Sequence, residues 1–225
     1  MTVNMKKLAL SMILTLAVSV LFAQDKTARD YKIEGAEAYK AKDYQKGLDA
    51  FEKAIELYSA EGKTDTSLYY NAAVCAIKVK NYEKAAELFD QSIAFDYKTC
   101  KAKLYKANAL KILDRGDDLV ELCNDGVTNC PKYKSKFNEL LFQHYLSGGL
   151  EIFNQAAKQQ AEITPLATSD PDKYTAEMEK VKARFNEALP LLEKAYEIKP
   201  DDENVKKALA QTYEILDMKD KAATL

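Results

Sequence analysis

The sequence predicts an all-α protein, a stack of antiparallel helix hairpins, and three observations carry that prediction. Residues 43–55 read DYQKGLDAFEKAI and residues 81–93 read NYEKAAELFDQSI, one amphipathic phrase written twice at a spacing of 38 residues. A period of this size belongs to repeated helical hairpins, each too small to bury its apolar face alone and therefore stacked on its neighbour. Charged side chains make up 30% of the chain and alternate with apolar ones at helical spacing, while the 225 residues include only 7 glycines and 5 prolines. Such a composition suits helices and short turns.

The first element lies outside the stack. After Lys6 and Lys7 comes LALSMILTLAVSVLFAQ, uncharged and apolar. Its length and small-residue end fit a secretory signal better than a membrane span. Residues 1–23 are therefore expected to be a signal peptide cut after Ala23, an uncleaved anchor being the alternative. The mature chain would carry 31 basic and 35 acidic side chains, a formal charge of −4. That balance argues against a nucleic-acid partner, and after cleavage nothing should span a membrane.

Residues 24–133 are then read as three repeats, 28–61, 66–99 and 100–133. In the first two, the segments from Tyr31 and Tyr69 precede the quoted phrases, with Gly35 and Ala73 at matching places. Small residues there let two antiparallel helices approach closely. The third, LYKANALKIL followed by DLVELCNDGVTNCPKY, is shifted by 34 residues and has Cys123 where an aromatic stood. Residues 134–200 read as an enlarged fourth hairpin, its first helix running through KFNELLFQHYLSGGLEIFNQAAKQQAEI and its second from about Asp172 to Lys199. Asp170 is placed to cap that second helix and Pro171 to start it; Pro190, inside it, should bend it. Residues 201–225 contribute ENVKKALAQTYEIL, a partial fifth repeat acting as a cap.

These residues resemble the tetratricopeptide repeat, whose pattern is a large aromatic, a small residue and Tyr in the first helix, then Ala, Phe and Ala in the second. The packing places fall on Tyr31, Gly35, Gly47, Phe51 and Ala54, then on Tyr69, Ala73, Ala85 and Phe89. Further along they fall on Ala107, Ala188, Ala195, Leu209, Ala210 and Tyr213. Departures are Ala38 and Ala76 in place of Tyr, and Gly47 in place of Ala. The resemblance covers roughly residues 28 to 225. It implies a right-handed superhelical solenoid whose concave face, lined by first helices, captures a segment of a partner.

On that alignment the concave face carries Arg29, Lys32, Tyr39, Lys40, Tyr70, Asn71, Lys78, Lys101, Tyr105, Asn108 and Lys111. Basic and aromatic side chains dominate in a chain that is acidic overall, which implies an acidic peptide or a terminal carboxylate as ligand. One branch of the family grips the C-terminal carboxylate of heat-shock chaperones. Lys32, Asn71 and Lys101 stand at three of its five places, while Ala36 and Tyr105 depart from it. The competing interpretation is an ordinary solvated lysine face.

The four cysteines, Cys75, Cys100, Cys123 and Cys130, form no Cys-x-x-Cys, and His144 is the only histidine. Neither redox nor zinc-binding spacing is present, so no metal or cofactor is expected. Export would permit a disulfide between Cys100 and Cys130, which antiparallel packing brings together; buried free thiols are the alternative. His144, among Leu141, Phe142 and Tyr145, reads as a helix-face histidine with a local partner, and Gly148 and Gly149 as a close helix contact. The sequence thus points to a periplasmic or otherwise exported scaffold that binds another envelope protein and catalyses nothing. Two alternatives stand beside it, a self-associating structural component and a carrier of glycans or other small ligands. The chain's lack of tryptophan weighs against the last.

Overall fold

The computed structural model describes residues 26–225; the apolar N-terminal run and its expected cleavage site lie outside them. Helices and short turns account for the described residues, with no strand among them. The chain divides into two compact units, Met1–Asn81 and Tyr82–Leu225.

The first unit holds α1 (Ala28–Lys40), α2 (Tyr44–Ala60) and α3 (Thr66–Lys78). Each starts where the sequence supplies a side chain to accept the orphan amides of a first turn. Thr27 forms a capping box with Asp30, its hydroxyl accepting the Asp30 N–H at 3.2 Å while the Asp30 carboxylate accepts the Thr27 N–H at 2.9 Å. Asp43 accepts from the Lys46 N–H at 3.3 Å, and Asp65 from the Ser67 N–H at 3.2 Å. Leu48, Phe51 and Ala54 of α2 and Leu68, Ala72, Ala73, Cys75 and Ala76 of α3 are buried.

The second unit begins with α4 (Tyr82–Ala94), α5 (Thr99–Ile112) and α6 (Gly116–Asn129), followed by a 3-10 turn at Pro131–Tyr133. It continues through α7 (Lys134–Ile163), α8 (Leu166–Ser169), α9 (Pro171–Ile198), α10 (Glu203–Ile215) and α11 (Lys219–Ala222). The long helices α7 and α9 run antiparallel. Glu139 pairs with Lys199 at 2.6 Å, and Phe153 meets Phe185 edge to face at 5.4 Å. Gly149 makes that approach possible, since a Cβ there would sit 2.8 Å from the Leu192 side chain. Asp170 caps α9 by accepting the Lys173 N–H at 3.2 Å, with Pro171 in the first turn. Gly126 of α6 plays the matching part against α7, where a Cβ would fall 2.6 Å from the ring of Phe137, itself fully buried.

The same turn ends six of the helices. Lys42, Gly62, Lys80, Asp96, Asp114 and Asp217 adopt left-handed backbone, with φ of 64°, 67°, 62°, 51°, 55° and 58°. After each, the next amide reaches back five residues, as in Asp43 N–H to Ala38 O at 2.9 Å, Asn81 to Ala76 at 2.9 Å and Arg115 to Leu110 at 3.0 Å. These are Schellman turns, and they satisfy the last carbonyls of each helix. Lys42 and Lys80 are 38 residues apart, so the repeat of the sequence is also a repeat of backbone geometry.

One packing assignment is corrected. Ala210 is exposed, whereas Val205, Ala208, Leu209, Thr212 and Tyr213 form the buried stripe of α10. At the equivalent place in the first hairpin a phenylalanine from the second helix covers the small residue. After α10 the following helix is the single turn α11, which brings no large side chain back onto Ala210.

Candidate functional site

In the first unit the deciding contact lies between α1 and α2. A Cβ built on Gly35 would lie 2.7 Å from two carbons of the Phe51 ring, and that ring is only 2% exposed. The ring occupies the space that the missing side chain leaves. It is the contact that the small and aromatic places of the motif call for, in a hairpin whose Schellman turn recurs one period later. The hairpin resembles a tetratricopeptide repeat.

Around that hairpin the predicted ligand residues take different roles. Arg29, Tyr39, Lys40 and Lys78 are exposed. Tyr39 meets Tyr44 edge to face at 5.6 Å, and the Lys78 ammonium sits 5.9 Å from the Tyr44 ring centre. Asn71 is half-buried. Lys32 is already engaged: its ammonium donates to the Asp65 carboxylate and to the Ser67 hydroxyl, the latter at 3.3 Å. Burial pushes the Asp65 carboxyl up, but the hydrogen bonds from Lys32 and Ser67 outweigh it and hold the group below the usual carboxylate range. Tyr70 departs from expectation. It is 4% exposed, because α3 buries residues around most of its circumference and Tyr70 falls among them, so it belongs to the core and not to a ligand face.

The remaining predicted residues lie together on α5. Lys101, Tyr105 and Asn108 are all exposed and stand at i, i+4 and i+7, on one side of the helix. Ile112 completes the stripe at i+11 and is 57% exposed, with Lys111 beside it. The opposite side of the helix is closed, Ala102, Ala107, Ala109 and Leu110 being fully buried. Tyr105 is fixed from behind by stacking on Phe89 of α4, with centroids 5.8 Å apart. The Lys101 ammonium lies 5.7 Å from the Tyr105 ring centre. The Asn108 amide donates to the Leu104 carbonyl at 2.8 Å. Lys111 donates to the Gln143 side chain of α7.

Charge on α5 is one-sided. The helix has four lysines and no acid. Two of them, Lys103 and Lys106, turn inward to Asp125 of α6 and to Asp90 of α4, the second pair at 2.6 Å. The hydrogen bond from Lys103 is the main reason the Asp125 carboxyl is held low. Lys101 and Lys111 stand near the two ends of the exposed stripe, and the step of 10 residues from one to the other corresponds to about 15 Å of helix. The arrangement offers an aromatic face between two lysines, with an apolar tip beside the second.

Ile112 was missed in the sequence, although TCKAKLYKANALKI contains its signal: an apolar side chain one helical step beyond a Lys–Tyr–Asn stripe. Ile33, 48% exposed on α1 four residues after Arg29, is the comparable case in the first unit.

Cys100, in the first turn of α5, and Cys130, at the end of α6, form a disulfide with Cα atoms 5.5 Å apart. Cys75 and Cys123 are free and buried, and burial pushes their thiols up to about 11 and about 12. His144 is half-buried and lies over Gly116, where a Cβ would come within 2.7 Å of the imidazole, and its ring is 5.5 Å from that of Tyr145. Among the described residues no group of His, Cys, Asp or Glu is arranged to hold a metal ion, and no helix is long and apolar enough to cross a membrane.

Comparison with known proteins gives no matching family model. The chain is similar to the Hsp70/Hsp90 co-chaperone CNS1 of Saccharomyces cerevisiae, 26% identical over 116 residues, covering 50% of this chain and 30% of that protein. The chain thus spans about a third of the length of this relative. Among solved structures it is similar to a tetratricopeptide repeats protein of Bacteroides fragilis, with 21% identity, 84% of this chain and 98% of the other covered, and a TM-score of 0.47. It is also similar to YrrB, described as a tetratricopeptide protein with an unusual peptide-binding site, with 16% identity, 85% and 96% coverage and a TM-score of 0.44.

Proposed function

We propose that this chain is a non-catalytic, exported adaptor that holds a segment of another envelope protein against the exposed face of α5. The observation that carries the proposal is the stripe of Lys101, Tyr105, Asn108 and Ile112, with Lys111 at its edge, on a helix whose other side is fully buried. A tyrosine preordered by stacking on Phe89 can bury a partner's apolar side chain at little entropic cost. The lysines at either end favour a partner that carries acids, and charged rims of this kind set association rate and specificity more than affinity. The relative in yeast is by name a co-chaperone, and a role in holding other proteins is proposed here in the same broad sense. Export rests on the apolar N-terminal run and on the Cys100–Cys130 disulfide, a bond that persists in oxidising compartments.

Lys32 is kept out of this face because it serves Asp65, the capping residue of α3. The test compares affinity capture from envelope extract by the wild-type chain and by a Lys101→Glu, Tyr105→Ala variant. The proposal expects a small set of proteins captured by the first and lost by the second, with both chains equally helical by circular dichroism. Identical captures would remove α5 from the binding face.

A further inference from the structure

The repeat that carries the α5 stripe lacks a side-chain cap at both of its helix starts. The N-terminus of α5 follows Lys98, which is left-handed at φ 51° and gives no side-chain cap, and α6 follows Arg115, again without one. By contrast α1, α2 and α3 are each capped by a Thr or Asp side chain. On its buried side α6 contributes only Leu119, Cys123 and Gly126, where the first hairpin has Phe51. The α5–α6 turn closes one end of the hairpin. At the open end the ties across the pair are the Lys103–Asp125 ion pair and the Cys100–Cys130 disulfide.

We propose that the Cys100–Cys130 disulfide is an oxidation-dependent latch that orders the first turns of α5 and so places Lys101 and Tyr105 for partner binding. Lys101 is the residue next to the bonded cysteine, and Tyr105 lies one turn further along. Lys111 and Ile112, beside the closed end, are outside the reach of the latch. Closing it is a thiol–disulfide exchange with a disulfide-bearing oxidant. One S–S bond forms between Cys100 and Cys130 while the S–S bond of the oxidant breaks. Two electrons pass to the oxidant, and the two protons leave with its new thiols. Cys130 is 1% exposed and Cys100 is half-exposed, so exchange enters through the Cys100 sulfur. Cys75 and Cys123 do not compete, since both are buried and their thiols are pushed up to about 11 and about 12, far from the thiolate form.

The consequence for binding rests on the proposed function, whereas the latch itself is tested without a partner. Amide hydrogen exchange of the full chain would be followed by mass spectrometry in oxidised protein, in protein reduced with dithiothreitol, and in a Cys100→Ser variant. The latch predicts at least about tenfold faster exchange at residues 99–106 in the last two samples, with residues 107–112 and the first unit within about threefold of the oxidised chain. Unchanged exchange at 99–106 overturns the proposal. So does global loss of protection, because the disulfide would then hold the whole unit and not one end of a hairpin. A short Glu- and Leu-rich peptide serves as binding probe in parallel. Faster exchange with no binding of the probe in either redox state upholds the latch and counts against the α5 face as an acidic-partner site.

Discussion

Replacing Gly35 by alanine isolates the contact on which the repeat assignment depends. In an exposed helix interior, glycine to alanine stabilises by about 1 kcal/mol, because alanine loses less backbone entropy on folding. At Gly35 the new methyl would lie 2.7 Å from Phe51 Cδ1 and Cε1, and the ring is 2% exposed, with little free space to retreat into. Overpacking of this kind costs about 1–3 kcal/mol. The net expectation for Gly35→Ala is therefore a loss of about 1 kcal/mol, from near zero up to about 2. In a Phe51→Ala background the ring is gone, and the same substitution should gain up to about 1 kcal/mol while Phe51→Ala itself costs about 3–5 kcal/mol. A coupling of roughly 1–3 kcal/mol between the two sites follows. Urea denaturation of the four proteins of the cycle, with midpoints and slopes compared, measures it. If Gly35→Ala stabilises the wild-type chain, or shifts both backgrounds equally, Phe51 does not occupy the space above Gly35 and the reasoning fails.

Four further outcomes are expected. Reduction or Cys130→Ser opens only one end of the α5–α6 hairpin and should lower stability, read from the urea midpoint, by much less than the about 3.7 kcal/mol that the loop-entropy account allows for residues 30 apart; a loss of that full size would mean that the bond holds the whole unit. Asp114→Gly relieves a left-handed aspartate and should raise stability by up to about 1 kcal/mol, whereas a loss would mean that its side chain holds the turn. Lys32→Glu sets an acid beside Asp65 and should lower the melting temperature, making it a stability variant and not a clean probe of binding. The carboxyls of Asp65, Asp125, Glu139 and Glu193 are all held low in the folded chain. Their folded pKa lies below the unfolded one, so their stabilisation is present above about pH 4.5 and is lost as pH falls through the folded values. The urea midpoint should be level from about pH 6 to 8 and fall below about pH 4; a midpoint unchanged at about pH 3.5 would exclude this linkage.

Hairpins were legible in the sequence because their signal is chemical as well as periodic: Gly35 and Phe51 are what a close helix crossing requires. Helix starts were legible at Asp170 and Pro171 for the same reason. Most of the Schellman turns were not, because five of their six left-handed positions hold Lys or Asp, and only Gly62 after α2 carries the glycine that announces such a turn. The ligand face was read only in part. Tyr70 is expected on the ligand face, although its counterpart one 34-residue shift later is Leu104, which is also buried; the residue in register with Tyr105 is Asn71. Lys32 shows the other limit, since its partner Asp65 lies 33 residues away and pairs with it only through the fold. Ala210 fits the family pattern by residue type, but what covers a small residue is a later helix, here a single turn.

The central claim, that the outer face of α5 meets a partner, is tested most directly by photocrosslinking in the cells' own envelope. A benzophenone amino acid would replace Ile112 in one chain and the exposed Glu187 of α9 in another. The account predicts one or a few discrete adducts from position 112 and none of the same mass from position 187. No adduct at 112, or identical adducts from both positions, would contradict it.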